Sequence, residues 1–468
     1  MNRATPHSHA HPHAFSMLNA RQQEGLVCVG RRSVLKASLS GLAGLSLPDL
    51  LRVREAATAA GTPLNRRKSV ILLWMTGGPS HIDTWDVKPD RPPEIRGPFG
   101  VIKTKLPGVL LCEYLPKQAA MLDRMTLIRS VDARYSNHEP NQVIQTGNSE
   151  AEPRLNKDGD KYPAIGALVA KLRGPNDPAL PPYVVLNMQD RSHVAWGGYL
   201  GKRYDPVLGS KFADLLKLPS GLQHDRIQTR SGLLREFDRL RRDLDLSGSM
   251  EALDYFSASA VDMVCGPRAQ EAFDVSREPE AVRERYGSHP WCQQALLARR
   301  LVESGVNYVT IDLSNHTSSG TWDTHGDNIP PYGGIWSGLR PLLPVFDHLL
   351  TTLVSDLEER GLTDDVLVLA MGEFGRTPQV GTQDSTDGRN HWPYVMSMTV
   401  AGGGMRHGQV IGASDRDGGQ IKDRPVTPGD LAATIFRHME VPLDATYLDF
   451  RGRPRYIIED GKPISELL

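Results

Sequence analysis

The chain has 468 residues, 39% of them hydrophobic and 6% aromatic, which is enough to bury one large core or two ordinary ones and excludes disorder as its general state. With 54 basic against 55 acidic side chains the formal charge is -1, so no global field selects nucleic acid or a membrane surface, and a charged partner must be met by a local cluster. Cys28, Cys112, Cys265 and Cys292 form no Cys-x-x-Cys pair, which excludes a disulfide framework but leaves a single bond among the last three open.

Residues 1–64 read as an address rather than a fold. "GRRSVLKASLSGLAGLSL" sets Arg31 and Arg32 before a modest apolar stretch interrupted by Gly41 and Gly44, and "REAATAAG" supplies small residues suited to processing. This resembles a twin-arginine export signal and places the expected site of action in the periplasm or at the cell surface. The stretch is too short and too rich in glycine for a stable membrane span, so only an uncleaved signal would touch the bilayer.

From residue 65 onward a single α/β domain is expected. Val70–Trp74, Thr126–Val131, Tyr183–Asn187, Asn307–Leu313, Val366–Met371 and Val395–Gly402 are apolar runs too continuous for one-sided strands, and they suit a mostly parallel sheet covered on both faces. Before the fifth of these, Phe346, Leu349, Leu350, Leu353 and Leu357 form one helical stripe that Gly361 is placed to stop. Near the end, Thr427 as N-cap, Pro428 at the first helical position and Asp430 in the first turn predict another helix. The charged segment at about 228–263 has helical patterning and no β-type run, as a helical insertion would. The Pro-rich loop Asp86–Gly108 is expected to wrap the surface.

In open α/β sheets ligands bind beyond the carboxyl ends of the strands, so the residues just after each run carry the information. After the first comes "MTGGPSHIDTWD", where Gly77 and Gly78 permit a sharp turn and His81 and Asp83 suit a metal site or an acid/base pair. After "NYVTIDL" comes "SNHTSSGTWDTHGDN"; Asp323 and His325 project to the same side of an extended segment, and His316 or Asp327 could join them. Imidazole and carboxylate are ligands for Zn²⁺. The stretch "GEFGRTPQVGTQDSTDGRNHWP", Gly372–Pro393, offers Glu373 and His391 as further ligands, with Arg376 and Arg389 able to fork onto an anionic group. After "TLIRSV", Ser136 and His138 are candidate nucleophiles or ligands, able to attack or to orient water, with Arg129 and Arg134 as anion contacts.

Together "GGPSHIDTWDVKP", "WDTHGDN", "GEFGRTP" and "GRNHWP" resemble the successive motifs of the exported family catalogued as domain of unknown function 1501, a branch of the alkaline phosphatase and sulfatase superfamily. The resemblance covers Ser69 to the C-terminus. It implies an alkaline-phosphatase-like three-layer α/β/α sandwich with one or two divalent ions beyond the central strands, Zn²⁺ or one of Ca²⁺, Mg²⁺ and Mn²⁺. The chain departs from the superfamily pattern in two places. Where an Asp ligand usually follows the first strand it has Thr76 and Gly77, so that His81 or Asp83 would substitute, and where an Asp-His pair is expected it has Glu373-Phe374. The string "CGPRA" at Cys265 lacks the serine of a formylglycine sulfatase motif and lies too far downstream, which excludes that class.

The leading expectation is an exported metal-dependent hydrolase of phosphate or sulfate esters, small or polymer-borne. His81, Asp83, Asp323, His325, Glu373 and His391 would hold metal, Arg376 or Arg389 would offset anionic charge, and Ser136 or His138 would attack or orient water. The competing class is an exported binding or assembly protein that keeps the fold without catalysis.

Overall fold

The computed structural model describes residues 67–138, 143–152, 154–188, 194–210, 267–315, 321–326 and 332–468. The export signal, the helical insertion at 228–263, Cys265, His316 and Asp327 lie outside the described residues.

All six apolar runs form strands, and two short edge strands complete one sheet. In chain order these are β1 (Ser69–Trp74), β2 (Met125–Val131), β3 (Tyr183–Leu186), β4 (Val207–Leu208), β5 (Tyr308–Asp312), β6 (Val366–Met371), β7 (Met396–Gly402) and β8 (Gln409–Ile411). Their spatial order is β8-β2-β7-β6-β1-β5-β3-β4. Strand β7 is antiparallel to both of its neighbours, and every other adjacent pair is parallel.

Strand β1 is buried along its whole length, so its alternating side chains need apolar partners on both faces. Helices α1 (Ile165–Arg173), α2 (Pro290–Ser304), α3 (Arg340–Glu359) and α4 (Pro428–His438) supply them. Ile71 and Leu73 share a core with Trp291 and Leu296 of α2 and Phe346 and Leu353 of α3. Val70, Leu72 and Trp74 share the opposite core with Leu168 of α1 and Leu431 and Phe436 of α4. The architecture is therefore the expected three-layer α/β/α sandwich.

The helix ends follow the local signals. At the end of α3, Gly361 takes φ 66° and its N–H donates to Glu358 O, while Leu362 N–H donates to Leu357 O, a Schellman arrangement. At the start of α4, Thr427 and Asp430 cap one another's backbone N–H groups at 3.1 and 2.9 Å. The Pro-rich loop is less free than expected: its Ile95 carbonyl accepts from Arg389 Nη2 at 2.8 Å, which ties it to the Gly372–Pro393 segment. Cys112 and Cys292 are buried free thiols. Among the described residues no helix is long and apolar enough to cross a membrane.

One buried titratable group gives the fold a measurable pH dependence. His438 of α4 donates from Nε2 to Ser69 O at 3.0 Å, and burial, only partly offset by that bond, pushes its pKa from 6.5 down to about 4. Between those values the unfolded chain binds the extra proton, so stability is intact above pH 6.5 and falls as pH drops toward 4. The loss assignable to this group is on the order of 3 kcal/mol. Urea unfolding of His438→Gln should show a correspondingly shallower acid limb; an unchanged limb would show that the pH dependence originates elsewhere.

Candidate metal centre

The site is delivered by strands that end in register. Trp74 of β1 stands opposite Asp312 of β5 and Met371 of β6, so the segments that follow, Thr76–Gly78, Trp322–His325 and Gly372–Arg376, reach one edge of the sheet. Trp322 N–H donates to Thr76 O at 3.0 Å and joins two of them. Because β7 runs against β2, with Met396 opposite Val131, the residues before β7 return beside those after β2. His391 and His138 thereby meet. A short antiparallel ribbon, Gly375–Arg376 with His391–Trp392, sets His391 opposite Arg376.

Asp323 lies at the centre and is buried. Its Oδ1 accepts from Arg376 Nη2 and stands 3.0 Å from His325 Nε2 and 3.2 Å from His391 Nε2. Its Oδ2 is 3.3 Å from His138 Nε2, an ion-pair contact. His391 Nε2 is also 3.1 Å from His138 Nε2 and 3.0 Å from His325 Nε2. An imidazole nitrogen carries at most one proton, so no tautomer of His391 satisfies three such neighbours. A cation among them would. His138, Asp323 and His391 could hold a metal ion, their ligand atoms all lying within 4.8 Å of one another.

Two outer groups fix the imidazoles. Glu373 Oε1 lies 3.2 Å from His138 Nδ1, and because an ionised carboxylate only accepts, Nδ1 carries a proton and Nε2 is turned toward Asp323. Gln383 Oε1, 3.0 Å from His325 Nδ1, orients that ring in the same way. Glu373 is held in turn by the Gly77 N–H, 3.0 Å from each carboxylate oxygen. Gly77 has φ 115°, and a Cβ there would sit 2.4 Å from Asp323 N, so only glycine lets the β1 loop approach this closely.

The electrostatics follow from burial and the shared carboxylate. Burial disfavours an ionised Asp323, but Arg376 and the three imidazoles outweigh it and hold the carboxyl far below the usual range. Burial also disfavours a charged His138, yet hydrogen bonds to Asp323 and Glu373 prevail and raise its pKa to about 9. Burial lowers His391 to about 4, against the pull of Asp323 and with Arg376 and His138 adding to the fall. The bare cluster thus holds one extra proton on His138, which an incoming ion must displace.

The expected ligands divide. Asp323, His325 and His391 come together, and His138, expected to attack or orient water, joins them. Glu373 stands behind His138 instead of among the converging nitrogens. His81 is separate: its Nε2 donates to Gly418 O at 2.8 Å, its Nδ1 accepts from Arg376 N–H at 3.4 Å, and burial lowers its pKa, so both nitrogens of a neutral ring are engaged. Asp83 is separate as well. Its oxygens accept from Arg389 Nε at 2.7 Å and Nη2 at 3.1 Å, and from the Ser80 hydroxyl at 2.5 Å.

Neither arginine faces solvent. Arg389 spends its remaining donors on the carbonyls of Thr377, Pro378 and Ile95, and Arg376 donates to Gly77 O, to Gly78 O at 2.8 Å and to Arg389 O at 3.2 Å. Both are fully buried and knit loops together, which differs from the expected anion contacts. Ser136 is buried in a turn closed by its N–H on Ala133 O at 2.9 Å, and it is not among the partners of Asp323. Phe374, where the resemblance expects histidine, packs 4.5 Å from the His391 ring and 5.1 Å from the His138 ring as an apolar wall. Gln383 and Phe374 had no signal of their own in the sequence; for His138 the signal was its place after β2, and the reversed direction of β7 supplies the rest.

The separation of Asp83 from the cluster is testable. Asp83→Asn leaves Arg389 buried without its counter-charge, and breaking such a pair costs roughly 3–5 kcal/mol. Equilibrium unfolding should register that loss while the metal content of the folded fraction stays at the wild-type level. Loss of metal at unchanged stability would instead return Asp83 to the ligand set.

Among solved structures, similarity extends to a sulfatase, PsFucS1, from Pseudoalteromonas sp., with 13% identity and a TM-score of 0.35 over 88% of this chain and 72% of that one. It also extends to the phosphonate monoester hydrolase SpPMH of Silicibacter pomeroyi, with 12% identity and a TM-score of 0.31 over 75% and 71%. The phosphonate monoester hydrolase of Agrobacterium radiobacter aligns with 13% identity and a TM-score of 0.32 over 86% and 77%. No curated protein matches the chain. Residues 67–468 match the family described as "Protein of unknown function (DUF1501)", and the chain belongs to that family.

Proposed function

We propose that the chain is an exported, metal-dependent hydrolase of phosphate or sulfate esters. The observation that carries this reading is the convergence of three imidazole nitrogens on the buried carboxylate of Asp323, each within 3.3 Å of one of its oxygens. Imidazoles with a carboxylate suit Zn²⁺ or a similar transition metal better than Ca²⁺ or Mg²⁺, which take oxygen ligands. The common focus of these donors favours one ion over two. His138, His325, His391 and Asp323 would hold it. When bound, such an ion supplies Lewis acidity and positive charge beside the transferred group.

The other residues prepare that place. Arg376 balances Asp323, Glu373 and Gln383 set the imidazoles, and Phe374 keeps water from one side. The His391 side chain is 36% exposed while Asp323 is fully buried, so an ester would approach over His391. Ser136, enclosed in its turn, is assigned no covalent role; water is the attacking group. The order of motifs shared with the alkaline phosphatase and sulfatase superfamily supports ester hydrolysis, and Arg31 and Arg32 ahead of an apolar stretch support export to the periplasm or cell surface. One observation favours the competing reading, a binding or assembly protein with a structural ion: both arginines expected to meet an anion are buried.

Elemental analysis of the purified protein should find about one transition-metal ion per chain, lost in Asp323→Ala and His391→Ala. Aryl phosphate, phosphodiester and aryl sulfate substrates then separate catalyst from binder. Hydrolysis of one class should fall by at least about 100-fold on chelation and return with Zn²⁺. Ser136→Ala should stay within about tenfold of wild type, since hydroxyl attack is not required. Metal retained by both ligand variants would sink the site, and a metal-loaded protein inert toward all three substrates would leave the structural-ion reading in possession.

A further inference from the structure

The pairing that brings His138 to His391 also builds a rim beside them. With Val131 opposite Met396, Asp132–His138 leaves β2 alongside His391–Val395 entering β7. Tyr135 stands three residues before His138 and Tyr394 three residues after His391. Both rings face solvent, with 54% and 43% of their surface exposed. Arg134 directly precedes Tyr135 on the same segment.

These side chains are held in place rather than loosely exposed. Tyr135 adopts φ 70°, a left-handed backbone that bulky residues rarely take and that tends to persist at functional positions. Tyr394 packs edge-on against Trp392 at 5.0 Å, and the Trp392 Nε1–H is anchored on Gly419 O at 2.6 Å. Arg134 donates from Nε to Asp132 at 2.9 Å and from Nη2 to the same carboxylate, yet remains 58% exposed. Asp132 thus aims the guanidinium without burying it.

We propose that Tyr135, Tyr394 and Arg134 form a subsite for an anionic saccharide, with the rings stacking on sugar faces and the guanidinium meeting a negatively charged ring substituent. A pyranose offers an apolar C–H face bounded by hydroxyls. An exposed tyrosine offers the complement, an electron-rich face ending in a hydroxyl. With Nε and Nη2 on Asp132, the exposed outer edge of the Arg134 guanidinium is what meets a sulfate, phosphate or carboxylate. This deepens the hydrolase reading and rests on it only in making the sugar the carrier of the ester; binding at the rim is measurable without turnover.

The test is titration of the full, metal-loaded protein, followed by intrinsic fluorescence and calorimetry, with isomaltohexaose, its sulfated form and inorganic sulfate. The sulfated sugar should bind at least about tenfold more tightly than either other probe. Tyr135→Ala and Tyr394→Ala should each weaken it by about tenfold or more, Tyr135→Phe should retain it, and Arg134→Gln should erase the preference for the sulfated form. Tyr456→Ala, which removes an equally exposed tyrosine from the hairpin of Thr446–Leu448 with Pro454–Tyr456, should leave binding unchanged. Failure of both sugars to bind, inorganic sulfate binding as tightly as the sulfated sugar, or indifference to Tyr135→Ala and Tyr394→Ala would each overturn the subsite. Binding that depends on Tyr135 and persists after chelation, in a protein that hydrolyses no ester, would sink the hydrolase reading and leave the subsite standing.

Discussion

A carboxylate withdrawn from water is tolerated only where positive charge and hydrogen bonds replace its hydration, and Asp323 imposes that condition on every loop around it. Arg376 supplies the charge. To reach Asp323 it crosses from the β6 loop to the β1 loop, where the carbonyls of Gly77 and Gly78 take its other donors. The β1 loop must then run close to the backbone of Asp323, which Gly77 permits because it has no Cβ to strike Asp323 N. The same Gly77 turns its N–H onto Glu373, and Glu373 turns His138. One buried charge thus links three loops and all three imidazoles.

A second buried pair, Asp83 with Arg389, repeats the chemistry with a different outcome. Arg389 donates twice to Asp83 and also reaches the carbonyl of Ile95 in the Pro-rich loop, so the pair fastens that loop to the Gly372–Pro393 segment. Among the described residues no imidazole is bonded to Asp83, and each of its oxygens already accepts from Arg389. At Asp323 the arginine engages Oδ1, and Oδ2 faces His138. Both sites contain an acid and an arginine; at Asp323 three imidazoles face the same carboxylate as well.

Continuous apolar runs identified all six central strands, because a strand buried on both faces has few other sequences available to it. Caps at Thr427 and Gly361 were legible for the same local reason. The placement of polar residues after strand ends was legible too, but their division of labour was not. His81 and His391 look alike in sequence, each following turn residues near a carboxylate; Gly418, far along the chain, is what occupies Nε2 of His81. Arg376 and Arg389 sit in a segment rich in turn formers, which suggests solvent, whereas long-range carbonyl acceptors bury both. His138 was legible as a candidate from its place after β2, but its meeting with His391 follows from β7 running backward, a property of sheet topology with no local signature.

The departure at Glu373-Phe374 acquires a physical meaning from this arrangement. The longer side chain of glutamate lets a carboxylate bound to Gly77 reach the outer nitrogen of His138. The phenyl ring beside it closes the space between His138 and His391 with an apolar surface instead of adding another nitrogen. An Asp-His pair there would bring a further imidazole to this position, whereas Glu-Phe supplies a carboxylate bonded to His138 and an apolar ring. The carboxylate stands outward of the imidazoles, where hydrogen bonding to His138 fixes Nδ1 as a protonated nitrogen and turns Nε2 toward Asp323.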